Sequence, residues 1–216
     1  MTPEILYYFY LFVLFTGTIV GIINLKFFDP LTKIIFILLF VTGLSEVICR
    51  ITYHLHYGKN MVYHFDCIIE SLLITIYFIK TIRIKNSNFW IFFSIIAWPI
   101  LGTLNCIFFQ PLKSLDSNII FLENFSIITM SLYALYSILL NENLTFVIRH
   151  PHFWFWTCFL ILSCGTFFFW AYLVISNYKG KYLNFLQYFQ VTVNILVYAV
   201  IALVFLYYPK KFMNES

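Results

Sequence analysis

Apolar residues fill seven long runs of this chain, and the segments between the runs are short. Each run reaches roughly 20 residues, the length that an α-helix needs to cross a bilayer. The remaining segments leave no room for a soluble domain, so residues 1–216 are expected to form one all-α domain, a seven-transmembrane-helix bundle. The pattern predicts helices at about 5–25, 31–55, 62–82, 89–109, 118–140, 152–176 and 182–208.

Composition supports a multi-pass membrane protein. Hydrophobic residues make up 62% of the chain and charged residues 10%, and the mean hydropathy is +0.89. Both fractions lie far from those of a soluble globular protein. The lipid bilayer is therefore the first expected partner, and the net charge of +4 requires no nucleic acid because it follows from how the basic residues are distributed.

The Lys and Arg residues lie unequally at the two predicted membrane faces. One face carries eight of the thirteen and the other carries four. Since cytoplasmic loops carry the excess of basic residues, the N-terminus is expected outside and the C-terminus inside. The first residues lack a signal peptide's basic region and cleavage site, so the first helix is expected to persist. Tyr7 and Tyr8 near its start are interpreted as interfacial anchors.

Ionisable and amide side chains inside the predicted helices gather toward the outer face. Charges in hydrocarbon are costly and usually line a cavity or have partners. Spacings of three or four residues place Asp66 with Glu70 on one helical face, and place the last-helix amides on another. The candidate ligand-cavity residues are Glu46, Arg50, His54, His64, Asp66, Glu70, Glu123, Gln187, Gln190 and Asn194.

Carboxylates outnumber cations in this candidate cavity, since Glu46, Asp66, Glu70 and Glu123 face the single Arg50. The expectation is an electronegative, pH-sensitive cavity that is open to the outside and binds a small ligand or ion. The alternative is a network that packs helices without a ligand. Such a network can include an ion pair between Glu46 and Arg50, which are four residues apart on one helix.

No cofactor is predicted. Residues 183–206 contain no Lys to form a retinal Schiff base. The five cysteines have no CxxC spacing and are interpreted as packing residues. A zinc site remains an alternative, because His54, His64 and Asp66 bracket one short outer turn. No Ser-His or Cys-His pair indicates a nucleophile, so an enzyme is not favoured.

Polar and aromatic landmarks recur along the chain in an order that resembles one protein group. They are the run 60–64 (Asn-Met-Val-Tyr-His) before Glu70, the run 105–110 (Asn-Cys-Ile-Phe-Phe-Gln), Glu123, the run 131–136 (Ser-Leu-Tyr-Ala-Leu-Tyr), the run 151–154 (Pro-His-Phe-Trp) and Asn194. On these residues the chain resembles uncharacterised small seven-helix inner-membrane proteins of Gram-negative bacteria. That group resembles membrane sensor modules associated with histidine kinases. The resemblance implies a bacterial inner-membrane location and a cytoplasmic signalling partner such as a histidine kinase.

Three functions are consistent with these patterns. The favoured one is a sensor or receptor-like module, in which a ligand in the outer cavity biases helix positions that a cytoplasmic partner reads. A transporter or channel for a small solute, cation or proton is the alternative, and it requires polar residues to continue to the inner face. A carboxylate- or metal-dependent membrane enzyme is the second alternative.

Overall fold

The helices predicted from the apolar runs are all present in the structure. The computed structural model describes residues 3–54, 60–111, 117–141, 147, 150–175 and 183–212. Within those residues, seven helices are long and apolar enough to span a membrane, which confirms an all-helical chain with seven candidate spans. They are α1 (Pro3–Asn24), α2 (Pro30–His54), α3 (Asn60–Thr81), α4 (Ser87–Phe108), α5 (Ser117–Asn141), α6 (Pro151–Ile175) and α7 (Leu183–Phe212).

The helix boundaries agree with the predicted ones to within two residues, except at the end of α7, which continues four residues past 208. The helix continues through Pro209 although proline removes a backbone donor at that position. The predicted limits at 55, 176 and 182 lie outside the described residues, as do all four basic residues of the predicted outer face.

Local sequence explains where α2 and α6 begin. Asp29 caps α2, because its Oδ1 accepts the backbone N–H of Thr32 at 2.8 Å and its carbonyl accepts that of Lys33 at 3.0 Å. Pro30 and Pro151 occupy the first positions of their helices, where a missing N–H costs no hydrogen bond. Both helices therefore start at the same end of the bundle.

Six helices form a closed ring, and the seventh lies outside it. The ring runs α1, α2, α3, α5, α6 and α7, with α7 packing back on α1. α4 packs on the outer side against α3 and α5. We call the end where α1, α3, α5 and α7 begin the upper end, and the opposite end, where α2, α4 and α6 begin, the lower end.

Two glycines of α1 permit its close packing in this ring. A Cβ on Gly17 would lie 3.3 Å from the Ala202 Cβ of α7, and a Cβ on Gly21 would lie 2.5 Å from the Phe36 ring of α2. Small residues four apart let membrane helices approach closely, as they do here. α1 is thereby held between α2 and α7.

The lower half of the ring is filled by large apolar side chains. Tyr77, Phe155, Trp156 and Phe205 are fully buried. Tyr77 and Trp156 stack with ring centroids 4.9 Å apart. The outer surface carries exposed aromatic and aliphatic residues on several helices, as a lipid-facing surface does. Among them are Phe12, Phe92, Phe108, Phe168 and Leu196.

Candidate functional site: a polar cavity inside the helix ring

A partly open cavity of about 380 Å³ lies in the upper half of the ring. All six ring helices contribute to its wall, and the described residues of α4 do not. Its size is at the lower end of the range for small-molecule pockets, roughly 300–1,000 Å³. The cavity thus has room for a small ligand.

Six of the ten candidate residues line this cavity: Glu46, Asp66, Glu70, Glu123, Gln190 and Asn194. They come from α2, α3, α5 and α7, so the structure brings together side chains that are distant in sequence. The other wall residues include Tyr7 and Tyr10 of α1 and Ser163, Phe169 and Trp170 of α6.

Three candidate side chains that the structure describes lie elsewhere. Arg50 is exposed, one turn above Glu46, and Gln187 is exposed, one turn above Gln190. His64 is buried, but its Nδ1 faces Cys106 Sγ of α4 at 3.6 Å. The His54 side chain lies outside the described part of the chain.

Glu46 is held by two tyrosines of α1. Its Oε2 accepts the hydroxyl of Tyr7, and its Oε1 accepts that of Tyr10, each at 2.9 Å. Tyr10 in turn packs against Tyr198 of α7, with ring centroids 5.8 Å apart. Tyr7 therefore belongs to the cavity wall, whereas the sequence suggested an interfacial anchor.

The ion pair that the alternative network would include, between Glu46 and Arg50, does not form between these two described residues. Arg50 Nη2 donates to the hydroxyl of Tyr8 at 2.7 Å, and its guanidinium lies about 5.5 Å from the centre of that ring. Spacing of four residues brings two Cβ atoms near each other. Here, however, Glu46 turns into the ring and Arg50 extends along the surface of α1.

Two more carboxylates have hydroxyl partners on neighbouring helices. Ser45 Oγ of α2 donates to Asp66 Oδ1 at 2.6 Å. Ser71 Oγ of α3 donates to Glu123 Oε1 of α5 at 3.0 Å. Hydrogen bonds of this kind join α2 to α3 and α3 to α5 around the cavity.

Glu70 differs from these carboxylates. It lines the cavity, yet no hydrogen bond to it is present among the described residues. Across the cavity, Gln190 Nε2 donates to Thr166 Oγ1 of α6 at 2.7 Å and to Asn194 Oδ1 at 3.3 Å. The wall thus combines one carboxylate without a donor and an ordered row of amides.

The cavity wall is acidic in composition. Its described wall contains four carboxyl side chains and no Lys or Arg. Charges in a low-dielectric interior are costly unless they are protonated or balanced by a cation. A positively charged occupant is therefore the electrostatic complement of this wall.

The floor of the cavity is apolar. Below Thr42 and Tyr198 the ring is occupied by Ile35, Leu39 and Ile201, each at most 3% exposed, around a void of about 10 Å³. Phe159 of α6 completes this layer and is 2% exposed. Within the described residues, the polar wall does not continue toward the lower end.

A second polar cluster joins three helices at the lower end. His152 Nδ1 of α6 lies 2.7 Å from the Tyr77 hydroxyl of α3, and His152 Nε2 lies 3.6 Å from Asp29 Oδ2. Burial raises the pKa of the Asp29 carboxyl, but hydrogen bonds from His152 and Thr32 outweigh it and hold that pKa below its usual range. Sequence reasoning did not predict this cluster, since its members lie in three separate segments.

His64 and Asp66, the two zinc candidates whose side chains are described, do not converge. His64 faces α4 while Asp66 faces the cavity and Ser45. Within the described part of the chain, no three His, Cys, Asp or Glu side chains are grouped closely enough to hold a metal ion.

No protein-family model matches this chain, and neither does any curated protein or solved structure. The resemblance to sensor modules therefore stays a prediction.

Proposed function

We propose that this multi-pass membrane protein is a sensor or receptor-like module that binds a small cationic ligand in the upper cavity and signals to a cytoplasmic partner. The observation that carries the proposal is the cavity itself, enclosed by six helices and lined by four carboxyl side chains. A concave site with a few converging polar groups is the typical form of a small-molecule site.

The distribution of basic residues supports an outward-facing cavity. The cavity lies at the upper end, where α1 begins, and the Lys and Arg count assigns that end to the outside. On this orientation the lower end, with Asp29 and His152, faces the cytoplasm, and the Lys and Arg residues near it are available to a signalling partner such as a histidine kinase.

The apolar floor favours a receptor over a channel. A conduction path needs polar or hydrated groups along its length. The layer formed by Ile35, Leu39, Phe159 and Ile201 contains none. The proposal places entry and exit of the ligand at the upper end, while the lower half stays packed.

α3 gives a physical route for the signal. Asp66 and Glu70 in its upper half line the cavity, and Tyr77 in its lower half contacts His152. A ligand that shifts α3 relative to α6 would change the contact at Tyr77, because a helix moves largely as a rigid element. The shift must come from different ligand affinity for the two helix positions.

Ligand-induced thermal stabilisation tests this proposal. Purified protein in neutral detergent is screened against protons, alkali and alkaline-earth cations, and organic cations. The account expects at least one cation to raise the melting temperature in wild type and less in Glu70→Gln and Glu123→Gln, since binding to the folded state stabilises it. Glu4→Gln, at an exposed site outside the cavity wall, is the control. The absence of any stabilising cation would count against the proposal.

Flux through proteoliposomes separates sensing from transport. The proposal expects no flux of the stabilising cation above that of empty liposomes. Reproducible flux that Glu70→Gln abolishes would replace the receptor with a transporter.

A further inference from the structure

The cavity wall contains polar atoms that have no hydrogen-bond partner in the described part of the chain, and most of them can accept a hydrogen bond. Three of the four carboxyl groups accept hydroxyl donors: Glu46 from tyrosines, and Asp66 and Glu123 from serines. Glu70 is the exception among the described residues. A buried acceptor without a donor is costly, so Glu70 is where a donor from outside the protein is most needed.

Ser163 gives an independent observation on another helix of the wall. It lies on α6, lines the cavity and is 3% exposed. Serine and threonine in these helices commonly donate to the carbonyl four residues earlier, as Thr157 does to Phe153 at 2.8 Å. In the described chain the Ser163 hydroxyl has no such bond and no other partner, so it is open to an occupant of the cavity.

Two amide oxygens of wall residues also have no hydrogen bond among the described residues. Gln190 Oε1 is buried without a hydrogen-bond partner in the described structure. Asn124 Nδ2 donates to the Ile120 carbonyl at 2.7 Å, and since a carbonyl can only accept, the Asn124 oxygen is the atom left over. The groups without a partner are thus the Glu70 carboxyl group, two amide oxygens and the Ser163 hydroxyl. Each of them can accept a hydrogen bond.

The complement of such a set is a cation that donates several hydrogen bonds. A protonated primary amine has three N–H donors and a guanidinium has five. A quaternary ammonium ion has the charge but no donor, so it would leave the acceptors unsatisfied. Phe169 and Trp170 complete the wall with aromatic surface suited to the ligand's hydrocarbon part and to its charge.

We propose that the cavity selects small organic cations with N–H donors, primary ammonium or guanidinium ions, and binds their charged group between Glu70 and Ser163. The proposal rests on the proposed function of cation binding and adds the chemical class of the ligand. A cavity of about 380 Å³ restricts that class to small molecules.

Binding of two matched cations tests the inference. Butylammonium and butyltrimethylammonium have the same charge and chain and differ in their N–H donors. Affinities are measured by calorimetry at pH 7 on the whole protein in neutral detergent, where the primary amine is charged. We expect the wild type to bind butylammonium at least about tenfold more tightly than butyltrimethylammonium. Glu70→Gln should lose about tenfold or more of the affinity for butylammonium, and Glu4→Gln should keep it.

Ser163→Ala keeps the inference testable if Glu70→Gln does not fold. It removes one small hydroxyl and should reduce the preference for butylammonium over butyltrimethylammonium severalfold. Ser126→Ala is its control, because the Ser126 hydroxyl is already bonded to the Leu122 carbonyl at 2.7 Å and Ser126 lies outside the cavity wall.

The outcomes separate this inference from the proposed function. If butyltrimethylammonium binds as tightly as butylammonium or more tightly, the proposed ligand class is wrong. The same holds if only Na⁺ or Mg²⁺ binds. In either case, a loss of affinity in Glu70→Gln would still support a cation receptor. Binding of none of these cations would contradict both.

Discussion

The Tyr10 hydroxyl of α1 donates to Glu46 of α2 at 2.9 Å, and Tyr10 is 4% exposed. Together with Tyr7, it gives a buried carboxyl group a hydrogen bond on each oxygen without any cation. Since α1 also packs on α7, this contact helps to close the ring that encloses the cavity.

Tyr10→Phe should destabilise the folded protein. The change keeps the ring and removes one donor to Glu46. Hydrogen bonds between membrane helices contribute about 0.6–1.7 kcal/mol, and we expect a loss in that range by reversible unfolding in detergent. Tyr136→Phe, at an exposed tyrosine, should lose much less. Equal losses in the two variants would show that the Tyr10 bond to Glu46 adds no stability.

Gly21→Ala should destabilise the ring at α1. The added Cβ would lie 2.5 Å from the Phe36 ring and 3.3 Å from that of Phe205, so side chains must shift at a cost of about 1–3 kcal/mol. Gly43→Ala is the control, because it makes the same substitution at a site where the added Cβ would lie 3.6 Å from Phe15, an ordinary contact distance. Thermal unfolding of both variants measures the difference. A Gly21→Ala protein as stable as Gly43→Ala would contradict the close packing.

Acid should weaken the lower-end cluster through Asp29. The folded pKa of this carboxyl lies below the unfolded value of about 3.9, so its contribution is fully present above that value. It is lost as pH falls through the folded pKa, because protonation removes the carboxylate that His152 and Thr32 bind. Asp29→Asn should therefore be less stable than wild type at pH 7 and lose less stability on acidification. Unfolding midpoints at pH 7 and below pH 4 measure this, and parallel pH profiles would contradict it.

Asp29→Ala separates the cap of α2 from the contact with His152. Asn can cap a helix and Ala cannot, so the alanine variant should lose a further 0.5–2 kcal/mol, roughly, at pH 7. Equal stability of Asp29→Asn and Asp29→Ala would show that the bond from the Thr32 N–H contributes little.

The helices could be predicted from the sequence because their signal is local. A run of apolar residues identifies a membrane-spanning helix without reference to the rest of the chain. Spacing of four residues placed Asp66 and Glu70 on one helical face, and both line the cavity. The depth of each side chain within the bundle was less predictable. Gln187 shares the stripe of Gln190 and Asn194 but lies one turn higher, where its side chain is exposed.

Helix neighbours could not be predicted, because apolar runs do not specify which helices touch. The tyrosines that bind Glu46 lie 36 and 39 positions away on α1, and Ser163 lies on α6. One signal was available for the tyrosines: Tyr7 and Tyr10, three residues apart, share a helical face. For Ser163 the sequence offers no comparable signal, since nothing distinguishes it from a serine that bonds its own helix.

Charge-selective modification of Cys67 tests the electronegative cavity most directly. Cys67 lines the cavity and is 9% exposed. A protein with this cysteine alone is treated in neutral detergent with aminoethyl and sulfonatoethyl methanethiosulfonate, and each rate is divided by that of a free thiol. We expect the normalised rate to be about tenfold or more higher for the cationic reagent than for the anionic one. Glu70→Gln should reduce this ratio. A normalised ratio of one or below, or no reaction of Cys67 with either reagent, would contradict an open, negatively charged cavity.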